Sequence, residues 1–178
     1  ALGLELPKQV FGHGWLVING GKISKSLGNY KDPREYIRDY GVDAVRYYAL
    51  REVPFGSDGT FSEENLVNRI NADLVNNLGN LVHRTISMNM KYFEGIVQNG
   101  DCTEEIDNDL INNVLGLSRK LEETMNELKV GETLEEIFDV LRKCNKYIDD
   151  TTPWILAKDE SKKARLGTVL YNLLESIR

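Results

Sequence analysis

The chain is poor in residues that build covalent or metal-held scaffolds: its 178 residues include two cysteines, two histidines and four prolines. Cys102 and Cys144 lie far apart, which gives neither a zinc-ligand spacing nor a disulfide framework. No apolar run reaches the length that spans a bilayer, and no signal-like segment opens the sequence. A globular, cytoplasmic piece is therefore expected. Positive charge is also short, with 22 Lys and Arg against 28 Asp and Glu, for a net charge of −6. That balance argues against a broad nucleic-acid-binding surface. It leaves room for local reading of unpaired bases, which rests on stacking and a few donors.

What the sequence does have is a concentrated lysine loop, Gly21-Lys22-Ile23-Ser24-Lys25-Ser26-Leu27-Gly28-Asn29. Lysine is a mobile point charge on a long stem, able to follow a phosphate as charge moves. Hydroxyls and backbone N–H groups freed by glycine add donors around the same anion. The flanking glycines let such a loop swing and approach a ligand closely. By composition alone, the same stretch also fits an ordinary solvated connector.

Around this loop the patterning is mainly helical. Residues 10–18 are rich in Val, Phe, Trp and Ile and read as extended, with Asn19-Gly20 a tight turn into the loop. Asp32 offers an N-cap, Pro33 a first helical position and Glu35 a capping-box partner for a helix ending at Tyr40-Gly41. Asp43 is placed as the cap of a second helix reaching about Arg51, followed by a loop over 54–59. Ser62 caps the longest helix, with Leu66, Ile70, Leu74, Leu78, Leu81, Val82 and Thr85 at helical spacing up to about Tyr92. Further helices are predicted over about 103–128, from a Thr133 cap through Ile148, and over Leu166 to Ile177, with Pro153 as a break. Amphipathic helices joined by short links imply an antiparallel bundle, still in pattern at Arg178. The expected organisation is mainly α: an extended and looped segment over 1–60, then an all-helical domain over 61–178.

The order of residues in the lysine loop resembles the KMSKS signature of class I aminoacyl-tRNA synthetases, with Ile23 where Met is usual. Lys31-Asp32-Pro33 and Tyr40-Gly41-Val42-Asp43-Ala44-Val45-Arg46-Tyr47-Tyr48 look like the helical stretch that follows this loop in the subgroup for aliphatic and sulfur amino acids. Phe55 to Ser62, Asn76-Asn77-Leu78-Gly79-Asn80-Leu81-Val82-His83-Arg84, Asn145 to Asp149 and Thr152-Pro153-Trp154 are similar to the methionyl-tRNA synthetase family. The resemblance implies the end of a class I catalytic domain followed by an anticodon-binding bundle. It also implies ATP, with Mg²⁺, and methionine as substrates, and the tRNA(Met) anticodon loop as partner. Neither His13 nor His83 lies in the second ATP motif of the class, HIGH. That motif, most of the α/β fold and any zinc site are expected upstream of Ala1. The loop itself does not separate the methionine enzyme from those for leucine, valine, isoleucine or cysteine. A helical tRNA-binding module without activation chemistry is the reading of a different class.

The resemblance assigns transition-state charge stabilisation chiefly to Lys25, with Lys22, Ile23, Ser24 and Ser26 shaping or assisting the loop. His13, between two glycines, is either a nucleotide contact or a turn residue. Asn77, Asn80 and Arg84 fall at i, i+3 and i+7 and are expected on one polar helix face. The resemblance gives Asn80 and Arg84 a part in anticodon recognition, and arginine and asparagine have the chemistry to stack on and read unpaired bases. Gly79, inside this helix, is read as permitting a close neighbour or ligand. Trp154, after a proline break, is either a stacking platform, as the resemblance implies, or a core residue. Asn145 is a further anticodon candidate, set among Arg142, Lys143 and Lys146. That basic group fits phosphate contacts and an ordinary charged face equally.

Overall fold

A computed structural model describes residues 3, 5–18, 21–24, 26, 28 and 30–178. Within the expected extended segment, β1 (Leu16–Ile18) pairs antiparallel with β2 (Gly21–Lys22), Val17 opposite Lys22. The turn expected at Asn19-Gly20 lies outside the described residues. A third strand, β3 (Gly59–Phe61), runs parallel to β1 and sets the order β2-β1-β3. The loop expected over 54–59 therefore ends in a strand at Gly59, and residues 60 and 61 carry no strand expectation from the sequence. Their pairing with residues more than forty positions away carries no local sequence signal.

Helix α1 (Pro33–Tyr40) has the expected Asp32 cap and Pro33 start, the Asp32 carboxylate accepting from the Arg34 amide at 2.9 Å, with Glu35 as an acidic residue of the first turn. Helix α2 (Val42–Glu52) follows directly from Gly41, so Asp43 sits inside its first turn and is not its cap. There it still complements the positive end of the helix dipole. Phe61 of β3 places its ring 4.7 Å from that of Tyr36 and 5.3 Å from that of Tyr48, both edge-on. With Leu66 these rings form a small aromatic core.

Ser62 caps the long rod, its Oγ accepting from the Asn65 amide. The rod is α3 (Glu63–Arg69), a π-helical stretch (Ile70–Gly79) and α4 (Asn80–Phe93). The π winding shifts the buried face. Asp73 and Asn77 turn inward, and Leu74 and Leu78 are only half-buried. Gly79 would bring an added Cβ within 3.0 Å of the Leu74 carbonyl, so its close neighbour is its own preceding turn. Helix α5 (Glu105–Asn126) begins with a capping box between Glu104 and Asp107. Helix α6 (Val130–Thr151) starts before Thr133. The Thr133 hydroxyl donates back to the Lys129 carbonyl at 3.0 Å and meets Thr124 Oγ1 of α5 at 2.7 Å, linking two helices rather than capping one. A single turn, α7 (Pro153–Leu156), precedes α8 (Lys163–Ile177). Leu81, Leu110, Ile148, Val169, Leu170 and Leu173 fill the main core between α4, α5, α6 and α8. No helix among the described residues is long and apolar enough to cross a membrane.

In the first turn of α5, beside that core, lies a fully buried carboxylate, Asp107. It accepts from Arg165 Nη1 at 2.6 Å and Nη2 at 2.9 Å, from Tyr147 Oη at 2.5 Å, and from the Glu104 amide at 2.8 Å. Burial pushes this carboxyl up, but the bonds from Arg165, Tyr147 and the Glu104 amide outweigh it and hold the group below the ordinary 3.8. The Tyr147 phenol is pushed up, first by burial and then by the same carboxylate. Because the folded value of Asp107 is depressed, its contribution is complete above the ordinary value and lost as pH falls through the folded one. Asp107→Asn leaves the buried Arg165 guanidinium only the exposed Glu104 carboxylate, 3.2 Å from its Nε, as a counter-charge, and losing a buried partner of this kind costs up to about 3–5 kcal/mol. Denaturant melts from neutral pH into the aspartate range are expected to show that loss at neutral pH and a shallower acid slope in the variant.

Candidate nucleic-acid interface

The lysine-loop side is assembled from two stretches packed edge to edge. Asp58 Oδ1 accepts from the Trp15 amide at 2.7 Å, and the Gly59 amide donates to the Trp15 carbonyl at 2.9 Å. Gly14 is required there, since an added Cβ would stand 1.9 Å from the Ser57 carbonyl oxygen. The Phe11 and Phe55 rings meet edge-on at 5.3 Å, and the His13 ring lies 6.3 Å from Phe55. His13 is exposed, with Nδ1 2.8 Å from the Gly14 carbonyl, which leaves Nε2 turned elsewhere. Lys22 Nζ sits 4.6 Å above the Trp15 ring, an arrangement worth about 0.5–1 kcal/mol at an exposed site. Ile23 is half-buried, and the Ser24 and Ser26 hydroxyls are 2.8 Å apart. Lys25 lies outside the described residues.

The second candidate surface is a groove of about 430 Å³ between the rod and α6. Asn76, Asn77, Asn80 and Arg84 line it from one side, and Arg142 and Asn145 from the other. The structure thus brings together Asn80, Arg84 and Asn145, which come from helices some sixty residues apart in sequence. Asn80 is exposed and donates from Nδ2 to the Asn76 carbonyl at 3.2 Å. Arg84 is half-exposed and donates from Nη2 to Asp149 Oδ1 at 2.7 Å, so its guanidinium is oriented before any ligand arrives. Asn77, Asn80 and Arg84 do share one wall of the groove, as expected, but the π turn buries Asn77 at 7% exposure. There its Nδ2 donates to the Phe138 carbonyl at 3.3 Å.

The basic group on α6 is also divided. Arg142 faces the groove and is paired with Glu135 and Asp139. Lys143 and Lys146 line a different depression with Ile106 and Asp109 of α5, Lys143 bonded to Asn113 and Lys146 to Asp150 at 2.7 Å. Asp149, not singled out by sequence, falls with Arg142 and Asn145 at i, i+3 and i+7, a face that α6 periodicity makes readable. Trp154 does not line the groove. It stands just past the carboxyl end of α6 and is 41% exposed, outside the hydrophobic core. Thr152 is left-handed at φ 43° and Pro153 follows it, so α6 ends and α7 starts at once, carrying Trp154 outward. A β-branched residue held in this conformation is a strained position of the kind that gathers at functional sites.

The half-exposed Arg84–Asp149 pair is expected to add little to stability. A double-mutant cycle with Arg84→Ala and Asp149→Ala, read by thermal or denaturant unfolding, should give a coupling below about 1 kcal/mol. A larger value would make the pair a structural strut.

Comparison with known proteins gives these two surfaces a common setting. Residues 1–86 match the family model described as tRNA synthetases class I (M). The chain is 60% identical over all 178 residues to a methionine–tRNA ligase of Caldanaerobacter subterraneus subsp. tengcongensis and covers 28% of it. It is 49% identical over 177 residues to the methionine–tRNA ligase of Thermotoga maritima, covering 28% of that protein. The structure superposes with a TM-score of 0.93 on Mycobacterium tuberculosis methionyl-tRNA synthetase in complex with methionyl-adenylate, at 42% identity. That match covers 98% of this chain and 35% of the other. The chain thus spans under a third of the length of the curated relatives it matches, and across that stretch it belongs to the methionyl-tRNA synthetase family of class I.

Proposed function

We propose that this chain supplies the phosphate-handling loop and the anticodon-reading bundle of an enzyme that joins methionine to its tRNA, using ATP through a methionyl-adenylate. The observation that carries the tRNA half is the convergence of Asn80, Arg84 and Asn145 on one groove, with Trp154 exposed just past the end of α6. Arginine stacks on base planes, asparagine amides pair with base edges, and an exposed indole offers a platform. Arg142 beside them is neutralised by Glu135 and Asp139, so base contacts rather than phosphate contacts suit the site.

In the activation half, the methionine carboxylate attacks the α-phosphate of ATP and pyrophosphate leaves. Negative charge grows on the leaving group, and a positioned ammonium stabilises it more than the ground state. Lys25 is assigned this task, assisted by Lys22, Ile23, Ser24 and Ser26, with His13 as a nucleotide contact. Mg²⁺ would accompany the ATP phosphates, and any zinc would be held by the part of the relatives outside this stretch. The functional division is put at residues 60 and 61, although the aromatic core runs across that point, with Phe61 and Leu66 packed on Tyr36 and Tyr48. The halves adjoin through α2 and α6, where the Tyr47 and Phe138 rings lie 5.2 Å apart and Arg51 pairs with Glu135.

Two measurements on the full-length enzyme test these assignments. Lys25→Ala should slow ATP–pyrophosphate exchange by orders of magnitude while methionine affinity barely changes, and a loss below about threefold would remove Lys25 from the chemistry. Trp154→Ala should cost about 1–3 kcal/mol in kcat/KM for tRNA and leave exchange near normal, with Trp154→Phe recovering part of it. Melting, exchange and charging falling together would instead make Trp154 a structural residue.

A further inference from the structure

Four hydrogen bonds at the floor of the groove fix the direction of one amide. The Phe138 backbone carbonyl can only accept, so the Asn77 end that meets it must be the donating Nδ2. Asn77 Oδ1 is thereby turned toward Asn145 and accepts from Asn145 Nδ2 at 3.0 Å. The same Nδ2 donates to the Asn77 carbonyl at 3.1 Å and to the Leu141 carbonyl at 3.2 Å. Three acceptors therefore hold the amino end of Asn145, and flipping its amide would set oxygen against all three. An unpaired buried acceptor costs about 1–3 kcal/mol, so the flipped amide is strongly disfavoured. Asn145 lines the groove, and the end left to face it is the carbonyl oxygen.

We propose that Asn77 is a positioning residue that locks Asn145 to present an acceptor, so that the groove selects an anticodon base bearing an exocyclic amine. This rests on the anticodon reading above. The methionine anticodon, CAU, offers such an amine on cytosine and on adenine, whereas uracil shows a carbonyl in the corresponding place. An acceptor fixed from behind favours the first two and repels the third, because its polarity cannot adapt. Asn77 makes no contact with the base in this scheme. It acts through Asn145, and the π turn that buries Asn77 is what places it there.

The test uses the full-length enzyme and tRNA transcripts in which cytosine is replaced by pyrimidin-2-one, or adenine by purine, so that only the amine is deleted. The wild type should favour the amine-bearing transcript by about three- to tenfold in kcat/KM at one of these positions, the range of one hydrogen bond. Asn145→Ala and Asn77→Leu should each bring that preference close to one, the double variant no further, with pyrophosphate exchange unchanged in all three. If Asn77→Leu fails to fold, Asn77→Ser, which also lacks the amide, carries the same comparison. A preference that survives in the Asn77 variant, or charging of both transcripts falling equally, overturns the proposal. Asn80→Ala and Arg84→Ala distinguish the two levels: if neither alters kcat/KM for tRNA, the anticodon reading itself fails. If both do while the amine preference ignores Asn77, only the amide lock fails.

Discussion

The buried Asp107 carboxylate is the point on which the bundle depends. It sits on α5, takes hydrogen bonds from Tyr147 of α6 and Arg165 of α8, and also binds the amide at its own helix start. Arg165 extends the tie through Nη1 to the Cys102 carbonyl, and Asn172 of α8 reaches the Tyr147 hydroxyl. A buried charge is costly unless its lone pairs are met, and here the partners come from two neighbouring helices and from the N-cap of its own. The consequence is geometric. Tyr147 fixes the rotation of α6, and that rotation decides which α6 residues meet the rod.

From that rotation the two faces of α6 follow. Cys144, Tyr147 and Ile148 point into the core, where burial raises the Cys144 thiol to about 11 and leaves it a packing residue. Arg142 and Asn145 form one wall of the groove, and Asp149 steadies Arg84 of α4. At the other side, Phe138 meets the Tyr47 ring, and the Tyr47 hydroxyl donates to Asp73 Oδ2 at 2.6 Å. Asp73 also receives Arg69, which in turn holds Glu52 of α2 at 2.8 Å. The groove, the π stretch and α2 therefore share one continuous polar seam.

Much of this was legible in the chain itself. Ser62, the Asp32-Pro33 start, the apolar spacing of the helices and the Pro153 break all act locally, through caps and periodicity. Each matches its element to within a few residues. What escaped was non-local. The pairing of β3 with β1 depends on contacts across the fold, and the π winding depends on tertiary packing that no 3.6-residue stripe displays. That winding turned Asp73 and Asn77 inward where a regular helix would have buried Leu74 and Leu78 more fully. Thr133 read as a cap because its hydroxyl was free to serve as one, but a partner at Thr124 claimed it. At the candidate site, Asn80, Arg84, Asn145 and Trp154 were nameable from motif resemblance. Their relation to one another, and the part of Asp149, became visible only with α6 set against α4.

The central claim is that the groove between the rod and α6 faces the anticodon. Photocrosslinking tests it most directly, with 4-thiouridine placed in the anticodon loop of the cognate tRNA bound to the full-length enzyme. The account predicts crosslinked peptides from residues 76–84 and 142–154. Crosslinks confined to the outer face of α5 or to the lysine loop would contradict it.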